Sequence, residues 1–600
     1  MRKGRLAAFA AALVCLATAA LAGATPNGSD TRVTIGSPPA PFSQNKQNEP
    51  AAVVNPAVPS IAAAGANEEI DMEACNNRSD VTCPFTPGVG TSGVYFSDDG
   101  GSTWIQPTYT GFTARDCLGL VGTSSAPADN CDPHVGQIGT LPRYFEAGLV
   151  SDGDPAVGFG PRLGANGKFS WSNGWRLYYA NLASNFAAER SETTFKGFEA
   201  IAVSRLDSEN YAAAKAGVNT AWMAPVIVTK QNSTLFSDHE MVAVDDASAS
   251  PFFGNVYVCN AAFRGQEKGG GAPEPIVLNA SSDGGDTWRS TQLSPAFNNG
   301  NLNGRQDCAV NTDSAGTVYV FWDGTDQNSR NDAIFMARSF DGGKHFDQQR
   351  VVTFFTQTGL RDPVSGDLTN DGVAGARDGS FPTVDIANGA PTGAGATDQI
   401  VLAFSNGPTP SVTAPGPNER VRVLYSRNGG NSWTESAFGS PASDRPDFPA
   451  IAISPDGGDA YLTYMSFQQP WQSTNSSPRL FQGVVRHADV NRTTGAIGPW
   501  SDVHRAPTGD ARGSSANALI DEFLGDYDYA FATNDNVLAV WNDARNAADC
   551  PAIDAYRDAI AAGTAAGTAG DPTRPAPQQQ CAPNFGNTDI FGGSYADPTP

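Results

Sequence analysis

Basic side chains are few in this chain of 600 residues. Lys and Arg together number 38 against 62 Asp and Glu, a formal net charge of -24. That imbalance argues against non-specific binding to nucleic acid or to an anionic lipid surface. Histidine is scarcer still, with five copies (His134, His239, His345, His487, His504) that form no spaced cluster. Cys-x-x-Cys is absent too, so the spacing marks no zinc site. There is no Gly-x-Ser-x-Gly nucleophile elbow and no phosphate-cradling Gly-rich loop. Beyond the N-terminus no apolar run is long enough to span a bilayer, so no membrane insertion is expected.

The N-terminus itself reads as an export signal. Arg2, Lys3 and Arg5 precede an apolar stretch from Leu6 to Ala20, and Ala20-Leu21-Ala22 before Gly23 fits a small-residue cleavage site. The expected layout is a signal peptide over 1–22, an N-terminal segment over 23–47 and one body over 48–600, secreted to the extracellular space. Of nine cysteines, Cys15 lies in the leader, which leaves an even number. In an exported chain that count reads as disulfides. The spacing suggests 75–83, 117–131, 259–308 and 550–581, and leaves the connectivity open.

Turn formers are abundant, with 64 Gly and 42 Pro. Four of the turns share one motif: Ser97-Asp98-Asp99-Gly100-Gly101-Ser102-Thr103-Trp104 and its counterparts starting at Ser281, Ser339 and Ser426. The pattern is Ser-x-Asp-x-Gly-x-Thr-Trp, with Asn428 at one third position and Phe346 at one eighth. The Asp accepts hydrogen bonds from turn backbone, the glycines take positive φ, and the aromatic ring plugs the gap between neighbouring units. A second signal recurs independently. Seven short strands begin at an acidic or polar residue, often with Pro: Glu49-Pro50, Asp154-Pro155, His239-Glu240, Gln306-Asp307, Phe381-Pro382, Phe448-Pro449 and Asp526-Tyr527. Each is followed by a second apolar strand, and four units reach the motif after a third.

Strand, strand, strand, turn, strand is the unit of a propeller blade. The fold expected is all-β, a β-propeller of four-stranded blades. Seven blades are favoured and six is the alternative. The last unit has no outer strand of its own, and Arg32-Val33-Thr34-Ile35 can supply it and close the ring. Three stretches fall outside the repeat: 111–150, 354–379 and 549–584, the last with a helical run from Ala552 to Ala562. All three connect on the face opposite the shared turns, where loop length points to function.

The four turns resemble the Asp-box, or bacterial neuraminidase repeat, of the sialidase superfamily, and the resemblance covers most of the mature length. It implies an exported propeller that recognises glycans at its channel rim, as an exo-acting glycoside hydrolase of the exo-alpha-sialidase type. Family members hold the substrate carboxylate with three arginines, use a Tyr activated by a Glu as nucleophile and an Asp as acid/base. No catalytic motif matches residue for residue. The family's Arg-Ile-Pro is absent, and Asn48-Glu49-Pro50 stands at the analogous strand start. Repeat position alone groups Arg305, Arg445 and Arg545 with Tyr527, Asp154, Asp238 and Glu240 as candidates. Asp526 and Arg545 either pair across strands to lock the last blade or serve binding. The competing reading is a non-catalytic propeller of the cell surface or extracellular space that binds glycans or proteins.

No cofactor is required by this chemistry. One loop has the spacing of a calcium site: Asp367, Thr369, Asp371, the Val373 carbonyl and Asp378 occupy positions 1, 3, 5, 7 and 12, with Gly372 at the sharp turn. Thr at the third position and Asp at the twelfth depart from the pattern, and a plain Asp/Gly-rich loop is the alternative.

Overall fold

A computed structural model describes residues 29–600 apart from 76–82, 84, 119–131, 188–192, 265–272, 297–304, 408–418, 473, 475 and 569–570. The signal-peptide expectation and Cys131 lie outside the described residues. Seven small antiparallel sheets follow one another along the chain. They are the blades of a seven-bladed β-propeller. The six-blade alternative does not hold.

The innermost strands are Gln47–Val54, Ala156–Leu163, Leu235–Val244, Arg305–Thr312, Thr383–Ile386, Pro446–Ile453 and Tyr529–Ala532. Each pairs with the next strand of its own blade. In the seventh blade the final strand Asp589–Ala596 pairs on its outer side with Thr31–Arg32, in register Thr31 to Gly592. N-terminal closure is therefore as expected. It leaves no open edge where the ring begins and ends. The seam is filled by Val54, Ala64 and Tyr95 of the first blade against Leu538, Val540 and Ile590 of the seventh.

The repeated turns fasten four of the seven blades to the one before. In the first, Gly101 N–H donates to Ser97 Oγ at 2.8 Å, and Thr103 N–H donates to Asp99 Oδ1 at 2.8 Å. The same bonds recur at Ser281/Asp283, Ser339/Asp341 and Ser426/Asn428. The aromatic residue then packs backwards. Trp104 meets the seventh blade, Trp288 the second, Phe346 the third and Trp433 the fourth. Trp104 is 4% exposed. Burying such a ring contributes on the order of 2–3 kcal/mol.

Disulfides join Cys75 to Cys83, Cys259 to Cys308 and Cys550 to Cys581. Cys259–Cys308 crosses from the third blade to the fourth. No described helix is long and apolar enough to cross a membrane. The helix of the last insert runs Pro551–Ala561 behind Cys550. Its Arg557, 1% exposed, donates to the carbonyl of Asp521 at 2.7 Å and to Ser515 Oγ at 3.1 Å. The insert thereby supports the segment that delivers Phe523 and Asp526 to the end of the channel.

Candidate functional site

Antiparallel meanders put the starts of inner strands and the ends of second strands at one end of the channel. A recess of about 440 Å³ opens there, lined by Glu49, Asp152, Asp154, Asp238, His239 and Asp307 from strand starts, and by Asn67 and Glu69 at the end of a second strand. Arg377, Phe381, Phe523 and Asp526 close its sides. The repeated turns lie at the opposite end.

The strand starts share an unusual backbone. Glu49, Asp154, His239, Asp307 and Phe448 all take positive φ, between 48° and 56°. In four of these five blades the ladder slips just there, for example between Asn48 and Ala51 and between Asp238 and Met241. A bulge with a left-handed residue re-aims a side chain, and it is costly for anything but glycine. Repeated at successive blades, it turns a ring of side chains towards the channel mouth.

His239 and Asp307 form a close pair, with Nδ1 and Oδ1 2.8 Å apart. Burial opposes the imidazolium, but the Asp307, Asp238 and Asp526 carboxylates outweigh it and raise His239 to about 10. With Nδ1 held, Nε2 is the remaining polar atom of the ring, which packs edge-on to Tyr527 with centroids 5.4 Å apart.

Opposite lies Arg377, 2.8 Å from Asp526 Oδ2 and 3.6 Å from Glu49 Oε1. Its guanidinium also stacks over Phe523 at 4.6 Å, and Lys46 lies over the same ring at 5.0 Å. Asn67 donates to Glu49 Oε2 at 2.5 Å and accepts from the Asp154 amide at 2.8 Å. The Glu49 and Asp154 carboxyl groups are close neighbours. Burial and the charges of Glu49 and Asp238 push Asp154 well above the usual carboxylate range. Asp152 with Glu199 and Asp378 with Asp447 make the same kind of pair nearby. Burial, only partly offset by Arg377, pushes Asp526 up to about 7.

Glu240 sits deeper. It is 5% exposed, no other residue hydrogen-bonds either oxygen, and burial drives it well above its ordinary value. Burial followed by the charges of Asp154, Glu49 and Glu240 likewise raises the Tyr527 phenol.

Of the candidates grouped by repeat position, Asp154, Asp238, Glu240 and Tyr527 thus come together around the channel axis. Arg545 does not join them, and Arg445 does not line the recess. Arg545 pairs with Asp543 and with Asp30, both at 2.6 Å, and stacks on Phe591 at 3.9 Å. It locks the closing blade, and its partner there is not Asp526, which belongs to Arg377. Arg445 donates to the Ser443 carbonyl at 3.5 Å. The Arg305 backbone pairs with Gly324. The recess also holds Arg377, His239, Glu49, Asp307 and Asp526, rim positions that the grouping of catalytic candidates did not include. All but Arg377 stand at strand starts within the repeat signal itself.

Three of the five candidate ligands in the loop with calcium spacing have an oxygen engaged by protein. Asp371 Oδ2 faces Arg479 at 3.4 Å, and its Oδ1 accepts from the Val373 amide. Thr369 Oγ1 accepts from Gly372 N–H, and Asp378 accepts from Thr358 Oγ1 at 2.7 Å. These carboxylates point to different partners on different segments.

Solved structures with a similar chain path are sialidases and an arabinanase. A Hadza microbial sialidase is 11% identical over 80% of this chain and 73% of its own, with a TM-score of 0.34. Trypanosoma rangeli sialidase in complex with sialic acid is 13% identical over 84% of this chain and 69% of its own, with a TM-score of 0.35. Penicillium chrysogenum α-L-arabinanase complexed with arabinobiose is 12% identical over 65% and 89%, with a TM-score of 0.35. No family model and no curated protein matches the sequence.

Proposed function

We propose that the recess binds glycans and hydrolyses a glycosidic bond, with Asp526 and the Glu49–Asp154 pair as its acid–base groups. One observation carries this reading. Arg377 stands between two carboxyl centres, Asp526 on one side and Glu49 with its neighbour Asp154 on the other, and burial holds both Asp526 and Asp154 above the usual carboxylate range. Glycoside hydrolysis needs one carboxyl group that donates a proton and another that is ionised. Phe381 beside them offers an apolar ring to a sugar.

The substrate class follows from charge. The guanidinium at the mouth is already engaged by two carboxylates, and Asp152, Asp238 and Asp307 line the same wall. A sugar bearing its own carboxylate meets like charge there. A neutral or amino sugar does not. This reading departs from the sialoside that the family resemblance implies.

The test is a panel of fluorogenic glycosides, neutral, amino and sialylated, with the wild type and Asp526→Asn. Turnover is expected on a non-sialylated member, reduced at least a hundredfold by the substitution. Its rate should decline on the alkaline side of about pH 7, where Asp526 loses its proton. No turnover on any member excludes hydrolysis and leaves the non-catalytic binding reading.

A further inference from the structure

The sixth blade carries a second cluster, made of residues that do not line the recess. Across its second and third strands Asp459 lies directly opposite Asp489, and Tyr461 directly opposite His487. Strand alternation puts all four on one face, towards the seventh blade, where Tyr461 packs with Val537, Trp541 and Tyr595. One ligand atom each from Asp459, His487 and Asp489 falls within 4.8 Å of the others. His487 Nε2 is 3.0 Å from Asp459 Oδ1 and 3.6 Å from Asp597 Oδ1. Asp597 arrives from just beyond the last strand of the seventh blade. Thr599, two residues on, donates to Asp489 Oδ1 at 2.5 Å.

Three carboxylates therefore share one imidazole. Among the described residues no Lys or Arg pairs with any of them. Like charges directly opposite one another on a strand pair are destabilising, so this arrangement calls for positive charge between them. A second observation points the same way. Tyr461 is fully buried, its hydroxyl has no hydrogen-bond partner, and its strongest charged neighbours are Asp459 and Asp597. Its ring packs 5.1 Å from that of His487. An orphaned hydroxyl beside a buried His–carboxylate group is a site short of one occupant.

We propose that Asp459, His487, Asp489 and Asp597 bind a divalent transition-metal ion of the zinc or manganese type. Imidazole with carboxylates suits these ions, whereas calcium takes oxygen ligands throughout. The ion fastens the chain beyond the closing blade onto the sixth blade. It reinforces the ring next to the seam that the N-terminal strand closes.

Cobalt(II) tests this directly, because imidazole–carboxylate ligation gives it visible absorption. The full chain, stripped with a chelator, should take up one equivalent of Co²⁺ with a new visible band. Zn²⁺ should displace the band and raise the thermal midpoint, and chelator should lower the midpoint again. His487→Gln should abolish the band. Asp489→Asn, at the exposed corner of the cluster, should weaken uptake at least tenfold while the far-UV spectrum stays that of the wild type. No band and no midpoint shift in the wild type overturns the site. So does an Asp489→Asn protein that binds as the wild type does. A larger midpoint shift from Ca²⁺ than from Zn²⁺ overturns the metal class.

Discussion

His239 Nδ1 and Asp307 Oδ1, 2.8 Å apart, join the third blade to the fourth at the same position of two successive repeats. Both residues are in the left-handed conformation, and Cys308, next to Asp307, is disulfide-bonded to Cys259 of the third blade. The pair is thus held from three sides by backbone strain, a covalent link and charge. It sits where the channel opens, and its charge depends on pH.

That dependence has a definite sign. The imidazole rises from an ordinary 6.5 to about 10 on folding. A group raised in this way stabilises the fold fully below its unfolded value and loses the contribution as pH climbs through the folded one. The urea midpoint should therefore fall between pH 7 and pH 10. In Asp307→Asn the fall over that window should be shallower, and stability at pH 7 should be lower by roughly 3 kcal/mol, the scale for breaking a buried pair. An identical slope in the variant would assign the alkaline loss to other groups.

Tyr527 separates two mechanisms at the same recess. In the sialidase type of reaction a tyrosine attacks the sugar, so its removal destroys turnover. Here burial and the neighbouring Asp154, Glu49 and Glu240 keep the phenol protonated, which makes it a poor nucleophile. Its ring instead packs against His239 and Tyr529. Tyr527→Phe should keep kcat within about tenfold of the wild type on whichever glycoside is turned over, as expected when no step of general acid–base catalysis depends on the hydroxyl. A loss of a thousandfold with unchanged KM would return the tyrosine to a nucleophilic role.

The propeller was legible in the sequence because each blade repeats local signals. Pro at positions 50, 155, 382 and 449 marks strand starts, and Ser-x-Asp-x-Gly turns mark the way to the outer strand. The helix at Pro551–Ala561 departs by one residue from the run read as 552–562. Asp154, Asp238, Glu240 and Tyr527 were legible for the same reason, since equivalent positions of a closed ring must face one axis. Arg377 was legible as a rim residue ahead of the fifth inner strand, but its pairing with Asp526 and Glu49 was not. It lies in an insert, and the hairpin of Leu360–Arg361 with Leu368–Thr369 sets its course by contacts that no repeat encodes. The Asp459–His487 cluster was hidden differently. Its members converge only through the register of two strands and through Asp597, more than a hundred residues further along. Arg545 looked like a rim residue because it follows a second strand, yet Asp30 claims it, and Asp30 belongs to the closing segment from the other end of the chain.

The shared turns predict where the ring is most sensitive to a single added methyl group. Gly101 has φ of +98°, and a Cβ placed on it would lie 2.5 Å from Leu538 Cδ1 of the seventh blade. Gly167, at φ +73°, would meet nothing within 4 Å. Both substitutions incur the cost of a left-handed alanine, about 1 kcal/mol. Only Gly101→Ala must also push the first blade away from the seventh, where Trp104 and Tyr95 fill the seam. Overpacking of this kind adds roughly 1–3 kcal/mol. Urea unfolding should accordingly rank Gly101→Ala below Gly167→Ala by at least about 1 kcal/mol. The extra loss should persist when the pH is lowered from 7 to 5, since it is steric and no titrating group contributes to it. Equal midpoints for the two variants would mean that the seam yields freely. The ring would then owe its closure to the pairing of Thr31–Arg32 with the final strand and to little of the packing beneath the first turn.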